Sequence, residues 1–258
     1  MKNIITGAHG FLGSNLIKKL DGETLAIKHE DIRSIKLLPF EYGYFLSSYG
    51  NIIDQTDTQS IMQANVLDLI HILNQSVQYN FKSFVFISTS SVKLRTQTMY
   101  SRSKRAAEEV LLSYMEKYNK PICIIRPYTI TGVSDNPKHL IPVLIDSCMT
   151  GKLVNLVPNA THDYIDVEDV VDGIINLSEH QARGIYELGT GTSYSNSQIL
   201  ALVEKVTGKK ANVNLVNNLR PYDNEYWVST NYRSRGYGWA PKRTVADSIK
   251  SMVENYVK

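Results

Sequence analysis

The sequence predicts an α/β fold in which helices cover both faces of a doubly wound parallel sheet and a smaller lobe follows at the C-terminus. Two observations lead to this prediction. Short apolar segments alternate with amphipathic helical segments as far as residue 126, and a glycine-rich turn joins the first apolar segment to the first helical one. Because ligands bind at the carboxyl ends of the strands in such sheets, we expect the functional residues just after strands.

The first strand is predicted over Asn3–Thr6 and runs into the pattern Gly7-x-x-Gly10-x-x-Gly13, with a helix over residues 13–20. Strand, glycine turn and helix in this order let the backbone approach a pyrophosphate and direct helix N–H groups at it. The pattern therefore predicts a Rossmann-type dinucleotide site, although an ordinary strand-to-helix turn can carry the same glycines.

Four further strands and two long helices continue the alternation. The strands are predicted over residues 24–28, 44–48, 84–88 and 121–126, and the helices over residues 60–79 and 100–118. Fourteen residues lie between His29 and Tyr44, which is too few for a full strand–helix unit with its connections. We therefore expect a shortened connection after the second strand.

The alternation becomes less regular after about Gly132. Apolar runs cover residues 140–149, 154–157, 164–167 and 185–188, and helices are predicted over residues 197–206 and 245–257. We expect residues 1–132, together with interleaved later segments, to form a dinucleotide-binding domain. Residues 133–258 are expected to form mainly a substrate-binding lobe.

The composition is that of a globular protein with one substantial core: 258 residues, 43% hydrophobic and 21% charged. No run of 18 apolar residues is present, so we expect no membrane span. The first residues lack a signal-peptide pattern. Cys123 and Cys148 are expected to be buried free thiols, which fits a cytoplasmic location.

The charge and the histidines argue against two classes of function. The formal net charge is +3, and the basic residues are scattered apart from a local cluster at residues 102–105, which argues against a nucleic-acid surface. The six histidines are dispersed without paired spacing. We therefore expect no metal site.

Side chains that can exchange protons are concentrated in residues 88–104. Tyr100 and Lys104 are four residues apart at a predicted helix start, so they lie on one face, where the ammonium can lower the pKa of the phenol. The predicted strand just upstream ends in four hydroxyl-bearing residues, 88–91, which can hydrogen-bond a substrate oxygen. This set suits hydride transfer at a carbinol or ketone.

A series of short motifs extends over nearly the whole chain. They are T-G-A-H-G-F-L-G at 6–13, Y-F-L-S-S at 44–48, N-V at 65–66, F-I-S-T-S-S-V at 86–92, Y-S-R-S-K at 100–104, R-P at 126–127 with Gly132, H-D-Y-I-D-V-E-D at 162–169 and G-W-A-P at 238–241. In this order they resemble the extended short-chain dehydrogenase/reductases, also called NAD-dependent epimerase/dehydratases, which mostly act on nucleotide sugars. The family writes the second motif I-H-L-A-A. Each motif is weak alone, and their shared order carries the assignment.

The resemblance implies a role for each matched residue. Tyr100 would be the acid/base, Lys104 would hold the nicotinamide ribose and tune the phenol, and Thr89 would bind the reacting oxygen. The residues implied for the cofactor, NAD or NADP, are Gly7, Gly10, Phe11, Leu12, Gly13, His29, Ser47, Asn65, Ser88, Tyr100, Lys104 and Pro127. Those implied for a nucleotide-sugar substrate are Thr89, Thr129, His162 and Arg220, the last as a bidentate partner of the diphosphate.

The residues after the second strand leave the choice between NAD and NADP open. The family often has an aspartate there for the adenine ribose, whereas this chain has His29, followed by Glu30 and Asp31. A slip in register would let one of these acids serve NAD. Without such a slip, His29, Lys28 or Arg33 would tolerate the 2′-phosphate of NADP.

Three further departures from the family pattern affect the reaction and the substrate. Ser90 and Ser91 stand where the dehydratases of the family commonly have an acid pair, which disfavours a 4,6-dehydratase. Ten residues separate Thr89 from Tyr100, fewer than is usual, so the site is expected to be more open or its loop to alter the substrate. His162 stands in place of an arginine, which would weaken a contact with diphosphate.

The resulting prediction is an NAD(P)-dependent nucleotide-sugar epimerase or 4-keto-reductase. The alternative is a dinucleotide-sensing or partner-binding protein on the same fold, which need not keep Thr89, Tyr100 and Lys104 together. The helices predicted over residues 60–79 and 100–118 resemble those of the family's four-helix dimer interface, so we expect a homodimer.

Overall fold

A six-stranded parallel sheet forms the centre of the computed structural model, which describes residues 1–52, 54–217, 223 and 226–256. The strands are β1 (Asn3–Thr6), β2 (Thr24–Ile27), β3 (Tyr42–Phe45), β4 (Ser83–Ile87), β5 (Ile122–Pro127) and β9 (Gly184–Leu188). They lie in the order β2-β1-β3-β4-β5-β9, and every neighbouring pair is parallel. The predicted doubly wound parallel α/β fold is confirmed.

Helices cover both faces of this sheet. The helices described are α1 (Phe11–Ile17), α2 (Thr58–Met62), α3 (Asp68–Ser76), α4 (Met99–Tyr118), α5 (Leu140–Thr150), α6 (Val167–Glu179), α7 (Asn196–Thr207), α8 (Tyr232–Arg235) and α9 (Val245–Tyr256). Phe84 of β4 packs in one core with Leu73 of α3, and its neighbour Val85 packs in another with Ile174 of α6. Successive residues of a strand point to opposite faces, so β4 supplies both cores.

The connection between β2 and β3 contains a 3-10 turn, His29–Asp31, and no helix or additional strand. Its buried residues Ile32 and Leu37 join the core on the α3 face, and the Tyr79 hydroxyl donates to the Leu37 carbonyl at 2.6 Å. The expected shortened connection is confirmed. It leaves β2 at the edge of the central sheet.

The segment predicted as one helix over residues 60–79 is helical from residue 58 to residue 76 but changes its winding on the way. α2 ends at Met62, a π-helical turn covers Gln63–Leu67, and α3 begins at Asp68. Such turns are rare and are frequent at functional sites. Apolar spacing does not reveal the turn, because Val66 and Leu67 are both apolar, and only Val66 is buried.

Residues after β5 build a smaller lobe and also return to the central sheet. β6 (Thr129–Thr131), β8 (Thr161–Asp166) and β10 (Ser193–Ser195) form a three-stranded sheet, while β7 (Val154–Leu156) pairs with β11 (Val213–Leu215). Helices α5, α7 and α9 share a separate apolar core in this lobe. β9 and α6 belong to the central sheet and its core, so the two halves of the chain are interleaved.

Three further findings concern single features of the fold. Cys123 and Cys148 are free and buried, as expected. Each of the described helices is too short or too polar to cross a lipid bilayer. Among the residues that the structure describes, no three His, Cys, Asp or Glu side chains come together in a way that could hold a metal ion.

Candidate active site

The glycine turn after β1 is packed tightly against the end of β3. Gly7 has a φ of +72°, and a Cβ on it would lie 2.7 Å from the Ser47 nitrogen. A Cβ on Gly13 would lie 2.1 Å from the Gly7 carbonyl oxygen, a distance that no side chain permits. Gly10 is exposed, and residues 11 and 12 after it are half-buried. The turn therefore presents bare backbone at the carboxyl edge of the sheet, which suits a pyrophosphate.

Thr89 lies two residues beyond the end of β4, at the same edge of the sheet. Its hydroxyl accepts a hydrogen bond from the Ser91 nitrogen at 3.2 Å and lies 3.0 Å from the Ser91 hydroxyl. Thr89 thereby caps the 3-10 turn Ser90–Lys93. The side chain is half-buried, so the strand end offers a hydroxyl in the predicted place.

Tyr100 lies in the first turn of α4, which Thr98 caps by accepting a hydrogen bond from the Ser101 nitrogen at 3.2 Å. Burial raises the pKa of Tyr100 to about 12, and a hydrogen bond with the Ser48 side chain acts in the opposite direction. The expectation that Lys104 lowers the pKa of this phenol is wrong here. Desolvation outweighs every opposing effect, and the side chain that favours the phenolate is Ser48.

The sequence analysis does not single out Ser48. The signal was available, because residues 47 and 48 are both serine where the matching family motif has two alanines. Ser47 is buried, and its backbone nitrogen donates to the Thr6 hydroxyl at 3.2 Å. Ser48 is exposed and is therefore the hydroxyl of this pair that reaches the edge of the sheet.

The amine of Lys104 is enclosed beneath the end of β4. The residue is 1% exposed, Nζ donates to the Ile87 carbonyl at 2.8 Å, and it lies 4.6 Å from the centroid of the Phe86 ring. Burial lowers the pKa of Lys104 to about 7, and Glu108 acts in the opposite direction. An amine with this pKa takes up or releases a proton near neutral pH.

A second buried charge, Glu108, lies one helical turn beyond Lys104. Glu108 Oε1 accepts from the Ser88 hydroxyl at 2.5 Å and from Arg126 Nε at 2.9 Å, and Oε2 accepts from Arg126 Nη2 at 2.5 Å. The Ser88 hydroxyl therefore points into the protein. The predicted contact of Ser88 with the cofactor would have to be made by its backbone atoms or its Cβ. The sequence analysis misses Glu108, although an acid four residues from Lys104 on a buried face was a usable signal.

Asn65 lies in the π-helical turn and joins two parts of the site. Its side-chain oxygen accepts from the Tyr49 nitrogen at 2.9 Å, and its amide nitrogen donates to the Tyr49 carbonyl at 2.8 Å and to the Ser103 hydroxyl at 2.9 Å. Asn65 is fully buried. It therefore holds the loop after β3 against the first turns of α4, and its predicted contact with the cofactor stays a prediction.

A histidine and an arginine lie beside a buried acid near the end of β2. His29 Nδ1 lies 3.6 Å from one carboxylate oxygen of Asp68, and Arg33 Nε lies 3.8 Å from the other. Gln63 donates to Asp68 at 2.6 Å. His29 and Arg33 are more than half exposed, so both can meet a ligand at this end of the sheet.

Two of the residues predicted to contact substrate, Thr129 and His162, lie in the three-stranded sheet of the smaller lobe. Thr129 opens β6 directly after Pro127 and Tyr128, and it is half-buried. His162 is 8% exposed and packs edge-on against the Trp227 ring, with centroids 5.1 Å apart. Arg220 lies outside the described residues. The structure thus places His162 in an aromatic cluster, and its contact with substrate stays a prediction.

Five consecutive residues, 227–231, bridge the lobe to the central sheet. Trp227 Nε1 donates to the Ser90 hydroxyl at 2.8 Å, and the Tyr128 hydroxyl donates to the Val228 carbonyl at 3.0 Å. The next three residues bond, in order, to Asp163, Glu187 and Gly189. The segment 227–231 therefore covers the residue that follows Thr89.

The profile of the NAD dependent epimerase/dehydratase family matches residues 40–189, which include Thr89, Tyr100 and Lys104. The chain belongs to this family. A dTDP-glucose 4,6-dehydratase of Streptomyces griseus is 24% identical to this family member, over 99% of the chain and 94% of the relative. A UDP-glucose 4-epimerase of Yersinia enterocolitica is 28% identical, over 73% of the chain and 67% of the relative.

Solved structures share the fold of this epimerase/dehydratase-family protein along its whole length. The structure of MoeE5 in complex with UDP-glucose and NAD superposes with a TM-score of 0.90 at 20% identity and covers 100% of both chains. At this level of identity the likeness concerns the fold. It agrees with the topology described above and with the predicted fold class.

Proposed function

We propose that this member of the NAD-dependent epimerase/dehydratase family is an NAD(P)-dependent nucleotide-sugar epimerase or 4-keto-reductase, with Tyr100 as its acid/base. One observation carries the proposal. Thr89 follows the end of β4, and Tyr100 and Lys104 lie in the first turns of α4, at the carboxyl edge of the sheet to which the glycine turn also belongs. A binding protein without chemistry has no need for an enclosed amine one helical turn beyond a tyrosine at this edge of the sheet.

The glycine turn fits the pyrophosphate of the dinucleotide. Its close approach to β3 at Gly7 and to its own backbone at Gly13 leaves no room for a Cβ, and Gly10 is exposed. Gly7, Gly10 and Gly13, together with residues 11 and 12, would hold this group. The nicotinamide, when bound, supplies or accepts the hydride.

The described side chains have complementary roles in a proton and hydride transfer. The Thr89 hydroxyl binds the reacting oxygen, and the Tyr100 phenol exchanges a proton with it. The amine of Lys104 holds the nicotinamide ribose. In an epimerase Tyr100 removes the proton from the C4 hydroxyl and later returns it, whereas in a reductase it donates the proton once.

The positions after Thr89 support an epimerase or reductase over a 4,6-dehydratase. Elimination of water needs an additional acid and base close to the sugar. Ser90 accepts a hydrogen bond from Trp227, and Ser91 is bonded to Thr89, so both positions are occupied by hydroxyls with structural partners. Neither supplies a carboxylate.

The substrate class is proposed from the relatives and from the predicted contacts. The relatives named above act, by their names, on dTDP-glucose and UDP-glucose. Thr129, His162 and Arg220 are the residues we assign to the nucleotide sugar. We also propose a homodimer through the helical segment 58–76 and α4. Leu67 of the π-helical turn is 51% exposed, and Met99 and Tyr118 of α4 are each 37% exposed.

The cofactor is identified first, by denaturing the purified protein and determining the mass of the released dinucleotide. Turnover of UDP- and dTDP-hexoses and their 4-keto forms is then compared between the native protein and Tyr100→Phe. Stoichiometric consumption of NAD(P)H indicates a reductase, and retention of the cofactor through many turnovers indicates an epimerase. We expect Tyr100→Phe to lose at least about 100-fold in kcat. Cofactor binding without turnover, together with no effect of Tyr100→Phe, would favour the sensing protein.

A further inference from the structure

Lys104 and Glu108 hold two consecutive residues of the same strand end. Lys104 Nζ donates to the Ile87 carbonyl at 2.8 Å, and Glu108 accepts from the Ser88 hydroxyl at 2.5 Å. The next residue is Thr89, which carries the hydroxyl at the strand end. Because residues four apart lie on one face of a helix, these two contacts fix the register between α4 and the end of β4.

Glu108 is itself held from the other side by β5. Arg126 donates to both of its carboxylate oxygens, at 2.9 Å and 2.5 Å, in a bidentate pair. Glu108 is 1% exposed, and a buried carboxylate without partners would be strongly destabilising. Its three hydrogen bonds hold the carboxyl group in one orientation, away from solvent.

Few other charged groups face the Lys104 amine. On α4 itself the titratable neighbours are Tyr100 and Glu108, and β4 contributes the Phe86 ring and neutral groups. The π-helical turn and α2 contain no charged residue. Arg126 on β5 is bonded to Glu108, and Lys93 of the 3-10 turn is paired with Glu187 at 2.5 Å. Glu108 is therefore the acidic side chain that interacts electrostatically with the Lys104 amine.

We propose that Glu108 is a positioning residue of the reaction site, which aligns the end of β4 with Tyr100 and Lys104 and favours the charged form of the Lys104 amine. The consequence for turnover rests on the proposed function. The effect on the charge of Lys104 does not. Glu108 touches neither the reacting atoms nor a ligand, and it acts through Ser88 and Lys104.

The test compares Glu108→Gln with Glu109→Gln in the full chain. Gln at 108 keeps an oxygen for the Ser88 hydroxyl and removes the charge, while Glu109 is the adjacent, exposed residue of the same helix. Lys104 is titrated by NMR in protein with isotope-labelled lysine side chains, and its signal is assigned by its loss in Lys104→Arg. We expect the midpoint of Lys104 to fall by about one pH unit or more in Glu108→Gln and to stay unchanged in Glu109→Gln.

The same variants are then assayed for the pH dependence of kcat/KM. In Glu108→Gln we expect the limb of the kcat/KM profile that depends on Lys104 to move to lower pH, by the same amount as the NMR midpoint. An unchanged midpoint in Glu108→Gln overturns the inference and leaves the proposed function intact. If the Lys104 midpoint shifts in Glu108→Gln but the native protein turns over no nucleotide sugar, the inference on Lys104 is supported and the proposed function is contradicted.

A second variant covers the case in which Glu108→Gln does not fold with Arg126 left unpaired. The double variant Glu108→Gln/Arg126→Met removes both buried charges, and circular dichroism checks that it folds. We expect a smaller shift of the Lys104 midpoint in the same direction, since the nearer charge is the acid. A midpoint at or above the native value contradicts the inference.

Discussion

The Ser48 side chain, in the loop that follows β3, lowers the pKa of the Tyr100 phenol against the larger effect of burial. This loop is held in place by Asn65, which bonds both the nitrogen and the carbonyl of Tyr49. It also contacts α4 directly, since a Cβ on Gly50 would lie 3.5 Å from the Tyr100 Cβ. The phenol therefore has a polar neighbour on a fixed part of the chain, separate from Thr89 and Lys104.

Replacing Ser48 with alanine is expected to raise the pKa of Tyr100, because it removes the hydrogen bond that favours the phenolate. The limb of the pH–rate profile for alcohol oxidation that needs the phenolate should move to higher pH. At a fixed pH on that limb we expect a loss of roughly three- to tenfold, the size of one hydrogen bond. Ser197→Ala, exposed on α7, is the control. Identical profiles for the two variants would show that Ser48 does not act on the phenol.

Lys104 makes the stability of the protein depend on pH. Its ordinary pKa is 10.5 and its pKa in the folded protein is about 7. Between these values the unfolded chain binds a proton that the folded protein does not. The free energy of unfolding therefore rises with pH between about 7 and 10.5, as the destabilising effect of Lys104 declines. Below pH 7 the amine is protonated in both states, and the destabilising effect of burying its charge is greatest.

We therefore expect Lys104→Met to be more stable than the native protein by on the order of 3 kcal/mol at pH 6, with a gain that shrinks to about 1 kcal/mol by pH 9.5. Urea unfolding at the two pH values measures the difference. Lys117→Met, an exposed change on the same helix, should show no such trend. A gain that is equal at both pH values would mean that the amine is not desolvated in the native state.

Two glycines of the first turn should respond differently to alanine. Gly13→Ala places a Cβ 2.1 Å from the Gly7 carbonyl oxygen, which belongs to rigid backbone. We expect a loss of about 2 kcal/mol or more in unfolding free energy. Gly10→Ala meets the same atom at 3.4 Å, so it should fold normally and reduce cofactor affinity, measured by calorimetry, at least about tenfold. Equal stability losses would contradict this assignment of roles.

Asp163 accepts five hydrogen bonds that join two loops. They come from the nitrogen and hydroxyl of Thr190, the Gly191 nitrogen, and the nitrogen and hydroxyl of Ser229. In Asp163→Asn one oxygen becomes an amide nitrogen that faces donors. We expect a loss of about 2 kcal/mol in thermal or urea unfolding and a higher KM for substrate. Asp54→Asn, a change at an exposed residue, should alter neither the unfolding stability nor the KM. An equal loss of stability in Asp54→Asn would contradict the role given to the Asp163 hydrogen bonds.

The elements of the fold could be predicted from sequence where one periodicity dominates. β4 and β5 are short apolar runs, and α4 and α9 show clear helical spacing, so their existence and order follow directly. The π-helical turn could not be found, because apolar residues stand at adjacent positions there and the sequence does not show that Val66 is buried while Leu67 is exposed. The shortened connection after β2 was detectable from length alone, since a helix and a strand need a minimum number of residues.

The site was predictable to the extent that spacing along one helix or one strand end defines it. Thr89, Tyr100 and Lys104 follow from a strand end and an i, i+4 pair. The same spacing offers Glu108 as an acid near Lys104, but its pairing with Arg126 could not be predicted, because Arg126 lies on β5 and meets it only in the folded protein. The direction of the pKa of Tyr100 was also beyond the sequence, since the depth of burial decides it.

The segment 227–231 has a kinetic consequence. Each of its five consecutive residues bonds a different partner, on the 3-10 turn after β4, the start of the lobe, β8, β9 and the loop after β9. Opening at one residue strains its neighbours, so the segment separates from the rest as a single cooperative unit and not by stepwise fraying. The amides of Ser229 and Thr230 should then exchange with solvent at one common opening rate, which also limits how fast a ligand next to Ser90 can leave in that direction.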